Sequence, residues 1–279
     1  MQPEILSTFA EIGLLPSTVR KIYQKHDVKI RQGSDLEKCL ILCDTLIDNV
    51  DLLSTDALVR LNKAKRLLDA IIACSNEEEL KEPLKRISEN SIITNNTTHS
   101  MGKDALFELE LLQYIKHRRL EAKLGEPDIV VASPYGEYYI ACKTINSLNN
   151  FEKQLRSGYH QIEKYGKGCI AINLEPHLCL TEPLACLHPM FAGKIVSNYT
   201  QGIIKKLKPV INKGLRAGRF DGVVFMITCV IKTRPGHGNL DSFTQAYFLS
   251  DYQNQPLDNY YRFNEFQNSM RGPLSEHVN

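Results

Sequence analysis

A carboxylate and a lysine stand near one another in the middle of the sequence, in an order that could support chemistry. Glu126-Pro127-Asp128 precedes one apolar run, and Ala141-Cys142-Lys143 lies within the next. The carboxylate of Asp128 can hold a divalent cation, and the ammonium of Lys143 can stabilise negative charge that develops during a reaction. The spacing is useful only if the chain brings the two groups together.

Two strands are predicted to do so. The apolar runs Ile129–Ala132 and Tyr138–Thr144 are typical of strands, and the intervening segment contains Pro134 and Gly136, which favour a hairpin. A loop over Pro134–Glu137 would place Ser133 opposite Tyr138.

Counting back along both strands from that loop puts Asp128 opposite Lys143 and Val130 opposite Ala141. Because side chains alternate along a strand, Asp128, Ala141 and Lys143 would then share one face. A change of one residue in the loop would remove this arrangement.

Helices are predicted on both sides of the hairpin. Lys103 to about Lys123 has helical periodicity and carries Glu108 and Glu110, and Asn149 to about Tyr165 forms a second helix. Gln161 and Tyr165 are one turn apart there, so we expect them to face the same way.

This order of residues resembles the PD-(D/E)XK, restriction-endonuclease-like nucleases, and Gln161-Ile162-Glu163-Lys164-Tyr165 resembles the QxxxY motif of the RecB-like branch. The resemblance covers roughly residues 103–174. It implies magnesium-dependent hydrolysis of DNA, with manganese as an alternative ion, possible restriction or antiviral defence, and a cytoplasmic hydrolase. The catalytic residues implied are Glu108, Asp128, Ala141, Lys143, Gln161 and Tyr165, and the metal contacts are Asp128, Glu108 and Cys142; Glu110 is the alternative to Glu108.

Ala141 departs from the family pattern, because the family has an acid at this position and alanine cannot ligate a metal. Three explanations are open: an engineered inactive form, transfer of the acid to a position such as Glu163, or natural degeneration. We favour the first, because Asp128, Lys143, Gln161 and Tyr165 all remain. The chain as it stands should bind the ion poorly and cleave slowly or not at all.

Length and composition set the wider frame. A chain of 279 residues, 43% hydrophobic and 24% charged, is expected to form a packed core and two units. The net charge of +2 does not argue for nucleic acid by itself. Eight cysteines without a CxxC pair, no signal peptide pattern and no apolar run long enough for a bilayer predict a soluble cytoplasmic protein.

Helical periodicity dominates the first ninety residues, which are predicted to form four or five short helices with start signals at Pro16–Ser17, Ser34 and Ser54–Asp56. The polar stretch 91–100 predicts a boundary between a helical N-terminal domain, 1–95, and a nuclease-like domain, 101–279. Further strands are predicted at Cys169–Ile172, Gly222–Ile231 and Phe243–Leu249, with a basic helix near Ile195–Leu215. The predicted fold class is α/β, with a restriction-endonuclease-like mixed central sheet flanked by helices.

Several alternatives are open. His177, Cys179, Cys186 and His188 could supply four zinc ligands, although their spacing matches no familiar zinc module. The basic residues of the 195–215 helix could be a solvated face or a phosphate-binding face. Lys153, Arg156 and Lys164 lie nearer the predicted site and are the preferred candidates for backbone contacts. The competing function is a non-catalytic DNA-binding or assembly subunit, and the N-terminal domain could support a homodimer or bind a partner protein.

Overall fold

The computed structural model describes residues 9–45, 54–92, 98–178, 182–186, 189–233 and 240–271. These residues form helices and one mixed sheet, so the α/β class predicted from the sequence is confirmed. The helices are α1 (Phe9–Lys25), α2 (Asp35–Asp44), α3 (Thr55–Ala73), α4 (Lys81–Glu89), α5 (Met101–His117), α6 (Phe151–Ile162), α7 (Pro189–Arg216) and α8 (Leu257–Arg271). The strands are β1 (Ala122–Leu124), β2 (Ile129–Ser133), β3 (Gly136–Thr144), β4 (Gly168–Asn173), β5 (Leu184–Cys186), β6 (Val223–Thr233) and β7 (Leu240–Leu249).

The sheet combines antiparallel and parallel pairing. Its order is β1-β2-β3-β4-β6-β5, with β7 paired to β6. The pairs β1/β2, β2/β3 and β6/β7 are antiparallel, whereas β3/β4, β4/β6 and β5/β6 are parallel. β4 pairs with residues 223–226 and β5 with residues 231–233 of β6, so the two short strands follow one another along the same side of β6.

Two hydrophobic clusters lie on the two faces of the sheet. One contains buried residues of α1 to α5 and α8 together with inward residues of β2, β3, β4 and β6. The other contains buried residues of α6 and α7 and the opposite face of β3, β4 and β6. Along β3 the alternation is direct, since Ile140 and Cys142 belong to the first cluster and Ala141 to the second. The architecture is therefore three layers, helix–sheet–helix.

The N-terminal helices begin where capping chemistry predicts, with one exception. The hydroxyl oxygens of Ser34 and Ser54 accept hydrogen bonds from backbone N–H groups in the first turns of α2 and α3, which satisfies donors that a helix start leaves unpaired. The start signal predicted at Pro16–Ser17 was wrong, because α1 runs through both residues from Phe9. Pro16 has no N–H to donate to the carbonyl oxygen of Ile12, and the neighbouring Ser17 hydroxyl donates to the carbonyl oxygen of Leu14.

The N-terminal helices share their hydrophobic cluster with α5 and the sheet rather than forming one of their own. α4 packs along α5, and α3 also contacts β6 and β7. The predicted domain boundary after residue 95 lies within residues 93–97, which are outside the described part of the chain. The division into two domains stays a prediction.

Three elements were not predicted: β1, β5 and α8. The two strands are three residues long, too short for a hydrophobic period to register. α8 covers the first cluster with Phe263, Phe266 and Met270. Among the described helices, none is both long enough and apolar enough to cross a membrane.

Candidate functional site

The β2–β3 hairpin closes with a two-residue turn, Pro134-Tyr135, and not with the predicted four-residue loop. Ser133 pairs with Gly136, whose φ of +83° glycine adopts without strain, and the ladder runs to Ile129 opposite Ile140. One further step places Asp128 beside Ala141. The predicted pairing of Asp128 with Lys143 was therefore wrong by two residues. A shift of two preserves which residues share a face, because the side-chain period of a strand is two.

Asp128 sits just before β2 with its carboxylate turned towards β3. The backbone N–H of Cys142 donates to Oδ2 of Asp128 at 2.6 Å. Burial and the negative charge of Glu108 raise the pKa of Asp128 to about 8, against the opposing effects of Lys143, the Cys142 N–H and Arg86. Asp128 is therefore held largely protonated at neutral pH.

Glu108 reaches the same place from α5. It is 4% exposed, and both of its oxygens accept hydrogen bonds from Arg86, at 2.9 and 2.5 Å. Burial raises the pKa of Glu108 despite Arg86, Asp104 adds to the rise, and Lys143 opposes it. Lys143 lowers the pKa of both carboxyl groups and Glu108 raises that of Asp128, so the three charged groups are neighbours, although no hydrogen bond or ion pair joins Lys143 to either acid among the described residues.

The two residues before Lys143 contribute no side-chain ligand. Ala141 is fully buried in the hydrophobic cluster beneath α6 and α7. Burial and the charges of Asp128 and Glu108 raise the pKa of the Cys142 thiol well above its ordinary value. The Cys142 thiol is therefore protonated in the absence of a metal, and its observed part in the site is the N–H that it donates to Asp128.

The QxxxY residues do not sit on one continuous α-helix. α6 ends at Ile162, and residues 163–165 form a 3₁₀ turn. The Tyr165 ring stacks on Tyr139, with centroids 3.9 Å apart. Tyr139 precedes Lys143 by four residues, or ~13 Å of strand, so Tyr165 lies towards the turn end of the hairpin. The side-chain oxygen of Gln161 is buried with no hydrogen-bond partner among the described residues.

Glu163 does not replace the missing acid. Its side chain is 54% exposed and accepts hydrogen bonds from Tyr159 at 2.6 Å and from His160 at 3.1 Å. These partners hold Glu163 on the outer surface of the second helix layer. It has no contact with Asp128 or Glu108 in the described structure.

Glu110, the alternative to Glu108 on α5, points to a different network. Arg66 of α3 donates to Glu110 at 2.6 Å and to Glu175 at 2.8 Å. Burial, with the charge of Glu175, raises the pKa of Glu110 to about 7 even though Arg66 opposes the shift. The structure therefore selects Glu108 as the acid beside Asp128.

These residues do not fit a magnesium ion as they stand. Magnesium in proteins takes one or two carboxylates with several waters and substrate oxygens. Both oxygens of Glu108 are occupied by Arg86, one oxygen of Asp128 is occupied by a backbone N–H, and position 141 has no carboxylate. Among the residues the structure describes, no group of three or more histidine, cysteine or acidic side chains is arranged to hold a metal.

The zinc alternative is only partly visible. Cys179 and His188 lie outside the described residues, whereas His177 and Cys186 lie within them. The carbonyl oxygen of His177 accepts from the Tyr199 hydroxyl at 2.5 Å. Within the described ranges, neither His177 nor Cys186 belongs to a group of side chains that could hold a metal ion.

Sequence reasoning missed two residues of the site. Asp104 is four residues before Glu108, hence on the same face of α5, and its carboxylate accepts the N–H of Thr144 at 3.2 Å. That spacing was a signal that could have been used. Arg86 comes from α4, 22 residues before its partner, and no local pattern marks it.

Comparisons of the chain with protein-family models, with curated proteins and with solved structures find no match. The nuclease resemblance accordingly stays a hypothesis based on these residues and their geometry.

Proposed function

We propose that this chain is a DNA-binding protein with a nuclease-like core that does not cleave DNA in its present sequence. The observation that carries the proposal is that the charged groups of Glu108, Asp128 and Lys143 are neighbours at a place where the ligands for a cation are withheld. Arg86 neutralises Glu108, and Ala141 supplies no carboxylate. The arrangement keeps a positive charge for a phosphate and lacks the acids that would fix a metal.

A second candidate function is magnesium- or manganese-dependent DNA hydrolysis by the same fold with an acid at position 141. It is favoured by the register, because one step beyond the last pair, Ile129 with Ile140, brings the backbone of residue 141 next to Asp128, with the Ala141 side chain on the α6 side of the sheet. A cation held between two carboxylates would supply Lewis-acid chemistry, and Lys143 would stabilise charge on the attacked phosphate. Whether such an enzyme serves restriction or antiviral defence is suggested by the resemblance alone. A cytoplasmic location is part of this proposal and agrees with the free thiols of the described cysteines.

The test compares the chain with Ala141→Glu and with Ala141→Gln, which matches the glutamate in size without its charge. Binding to linear, circular and single-stranded DNA is measured by fluorescence anisotropy in chelator, and cleavage is measured with Mg²⁺ or Mn²⁺. We expect the chain to bind and not to cut. Failure to bind any DNA at low salt contradicts the proposal, and cleavage by the unmodified chain contradicts its non-catalytic part.

Thermal unfolding of the same variants tests the cation separately. The glutamate places a carboxylate in a fully buried apolar setting, so Ala141→Glu should be less stable than Ala141→Gln in chelator. Mg²⁺ at about 100 times its Kd should then raise the Tm by roughly 5–10 °C in the glutamate variant only. If Ala141→Glu binds DNA but shows neither the shift nor cleavage, the enzyme candidate is abandoned.

A further inference from the structure

The 28-residue helix α7 has no acidic residue, and five of its six cationic residues lie in its C-terminal half, between Lys205 and Arg216. Because the whole chain has a net charge of +2, the residues outside α7 sum to −4. The net positive charge of the chain therefore comes from this one element. Its cationic residues are Lys194, Lys205, Lys206, Lys208, Lys213 and Arg216.

These six side chains face away from the protein. The inner side of α7 packs Val196, Leu207 and Ile211 into the second hydrophobic cluster, while all six basic residues are exposed. Arg216 lies 3.8 Å from Asp251, and the five lysines have no ion pair with any described residue. The side-chain ammonium groups on this outer face are thus available to an anionic partner.

Of the three basic residues that the sequence favours for backbone contacts, Lys153 is exposed and has no ion pair with a described residue, whereas Arg156 and Lys164 each have an acidic neighbour. Arg156 lies 3.8 Å from Glu152, and Lys164 lies 3.6 Å from Glu126. Such pairs offset their own charge, so these two cations offer a phosphate less attraction than the lysines of α7.

The opposite edge of the sheet has the opposite charge. α7 packs on β5, β6 and β7, whereas a depression of about 570 Å³ lies beside β1, β2 and β3. The acidic residues that line this depression are Glu77, Glu78, Glu79, Glu126 and Glu137. Glu77, Glu126 and Glu137 are paired with Lys116, Lys164 and Lys123, whereas Glu78 and Glu79 have no ion pair with a described residue. A polyanion approaching the molecule would therefore be attracted more strongly to the α7 edge than to the β1 edge.

The cations of α7 are spaced closely enough to meet several phosphates of a duplex. Lys205 and Arg216 are 11 residues apart, which is ~17 Å along an α-helix, and double-stranded DNA carries one negative charge per ~1.7 Å of its axis. We propose that the outer face of α7 binds the phosphate backbone of double-stranded DNA, without reading its sequence. This inference rests on the proposed DNA-binding function and names the surface that carries it.

An anionic membrane is the competing occupant, and the packing of α7 argues against it. A helix that lies in a membrane interface buries its apolar face in lipid. In the lysine-rich segment 205–216 the large apolar side chains are buried or half-buried against the sheet, and the large apolar residues of α7 that are exposed, Phe191, Ile195 and Tyr199, all lie in its N-terminal half. Its outward cations can meet a phosphate backbone without any change of fold.

The test replaces Lys205, Lys206 and Lys208 by glutamine in the full chain. The matched control replaces Lys21, Lys29 and Lys85, which are also exposed and have no ion pair with a described residue. Duplex affinity is measured by anisotropy between about 50 and 200 mM salt. Loss of three phosphate contacts should weaken binding by roughly 10²-fold at about 0.1 M salt and reduce the slope of log K against log salt by about 2–3. The control should change the slope by less than about 1.

Circular dichroism and Tm confirm that each variant folds, and Lys205→Gln alone is the fallback if the triple variant does not. The inference is overturned if both triple variants lose the same duplex affinity, or if the parent chain binds duplex and the α7 variant has the same slope of log K against log salt as the parent. Either result leaves the proposed function intact. A parent chain that binds no DNA overturns both. The same variants are tested on vesicles containing 30 mol% phosphatidylserine. If replacing the α7 lysines weakens vesicle binding and leaves duplex binding unchanged, the surface is assigned to membranes and the inference is also overturned.

Discussion

The pair between Arg86 and Glu108 makes a quantitative prediction about stability. Replacing Arg86 by methionine keeps most of the side-chain volume and removes the charge, which leaves the 4%-exposed carboxylate of Glu108 without its bidentate partner. Breaking a buried ion pair in this way typically costs about 3–5 kcal/mol.

Protonation of Glu108 limits that cost. Its ordinary pKa is 4.5, so keeping the carboxyl neutral at pH 7 means crossing two and a half pH units at about 1.36 kcal/mol each, or about 3.4 kcal/mol. At pH 5 the same calculation gives about 0.7 kcal/mol. Removing Arg86 raises the folded pKa of Glu108 further, so the stability of the variant is retained at low pH and lost as pH rises.

The assay is urea unfolding of the parent chain, Arg86→Met, Glu108→Gln and the double variant at pH 5 and pH 7. We expect Arg86→Met to lose about 3 kcal/mol at pH 7 and about 1 kcal/mol or less at pH 5. The double variant should recover most of the loss, because no charge is left unpaired. A loss below about 1 kcal/mol at pH 7, or a loss that is the same at both pH values, would refute the reasoning.

Three other predictions follow from the described contacts. Asp128→Asn should be more stable than the parent above about pH 8, and this advantage should shrink towards pH 4. The reason is that the raised pKa of Asp128 makes the parent lose stability as pH rises from about 4 to about 8. A difference in Tm that does not change with pH would contradict this. Gly168→Ala should lose about 3 kcal/mol or more in urea unfolding, because its Cβ would lie 2.2 Å from the Tyr139 carbonyl oxygen at a φ of +151°. Gly166→Ala, with open space around the same atom at a φ of +70°, should lose only about 1 kcal/mol, so equal losses would show that the close approach is unimportant. Ser54→Ala should cost about 1 kcal/mol through the lost cap of α3, and a loss of helical signal on mild heating by circular dichroism would accompany it.

The order of strands in the core could be predicted from the sequence because each apolar run has the length of a strand and turn residues separate the runs. The runs at Cys169–Ile172 and Gly222–Ile231 both became strands of the sheet; the first is longer by one residue at each end, and the second begins one residue later and ends two residues later than predicted. The pairing of Asp128 could not be predicted, because the length of the hairpin turn depends on backbone geometry at Gly136 and the flanking Ser133 that composition does not determine. Because side chains alternate along a strand, the prediction that Ala141 and Lys143 share one face does not depend on the length of that turn.

The partners of the acids were beyond sequence reasoning for a different reason. Glu108 and Glu110 are two residues apart on one helix, and each is paired with an arginine from another helix, Arg86 or Arg66. Which acid faces the hairpin depends on how α3 and α4 pack on α5, and that contact joins positions 22 and 44 residues apart. No local period contains such information.

Arg66 of α3 and Arg86 of α4 supply the positive charges that pair with Glu110 and Glu108 of α5. A chain shortened to begin at residue 98 would keep Glu108 and Glu110 and lose both positive partners, while also exposing the side of α5 that α3 and α4 cover. Such a fragment would have to protonate both acids or separate α5 from the sheet, and aggregation would be its expected outcome in expression. By the same physics, a change that removes either arginine during evolution is tolerated only if the matching glutamate changes as well, so we expect the two positions of each pair to vary together.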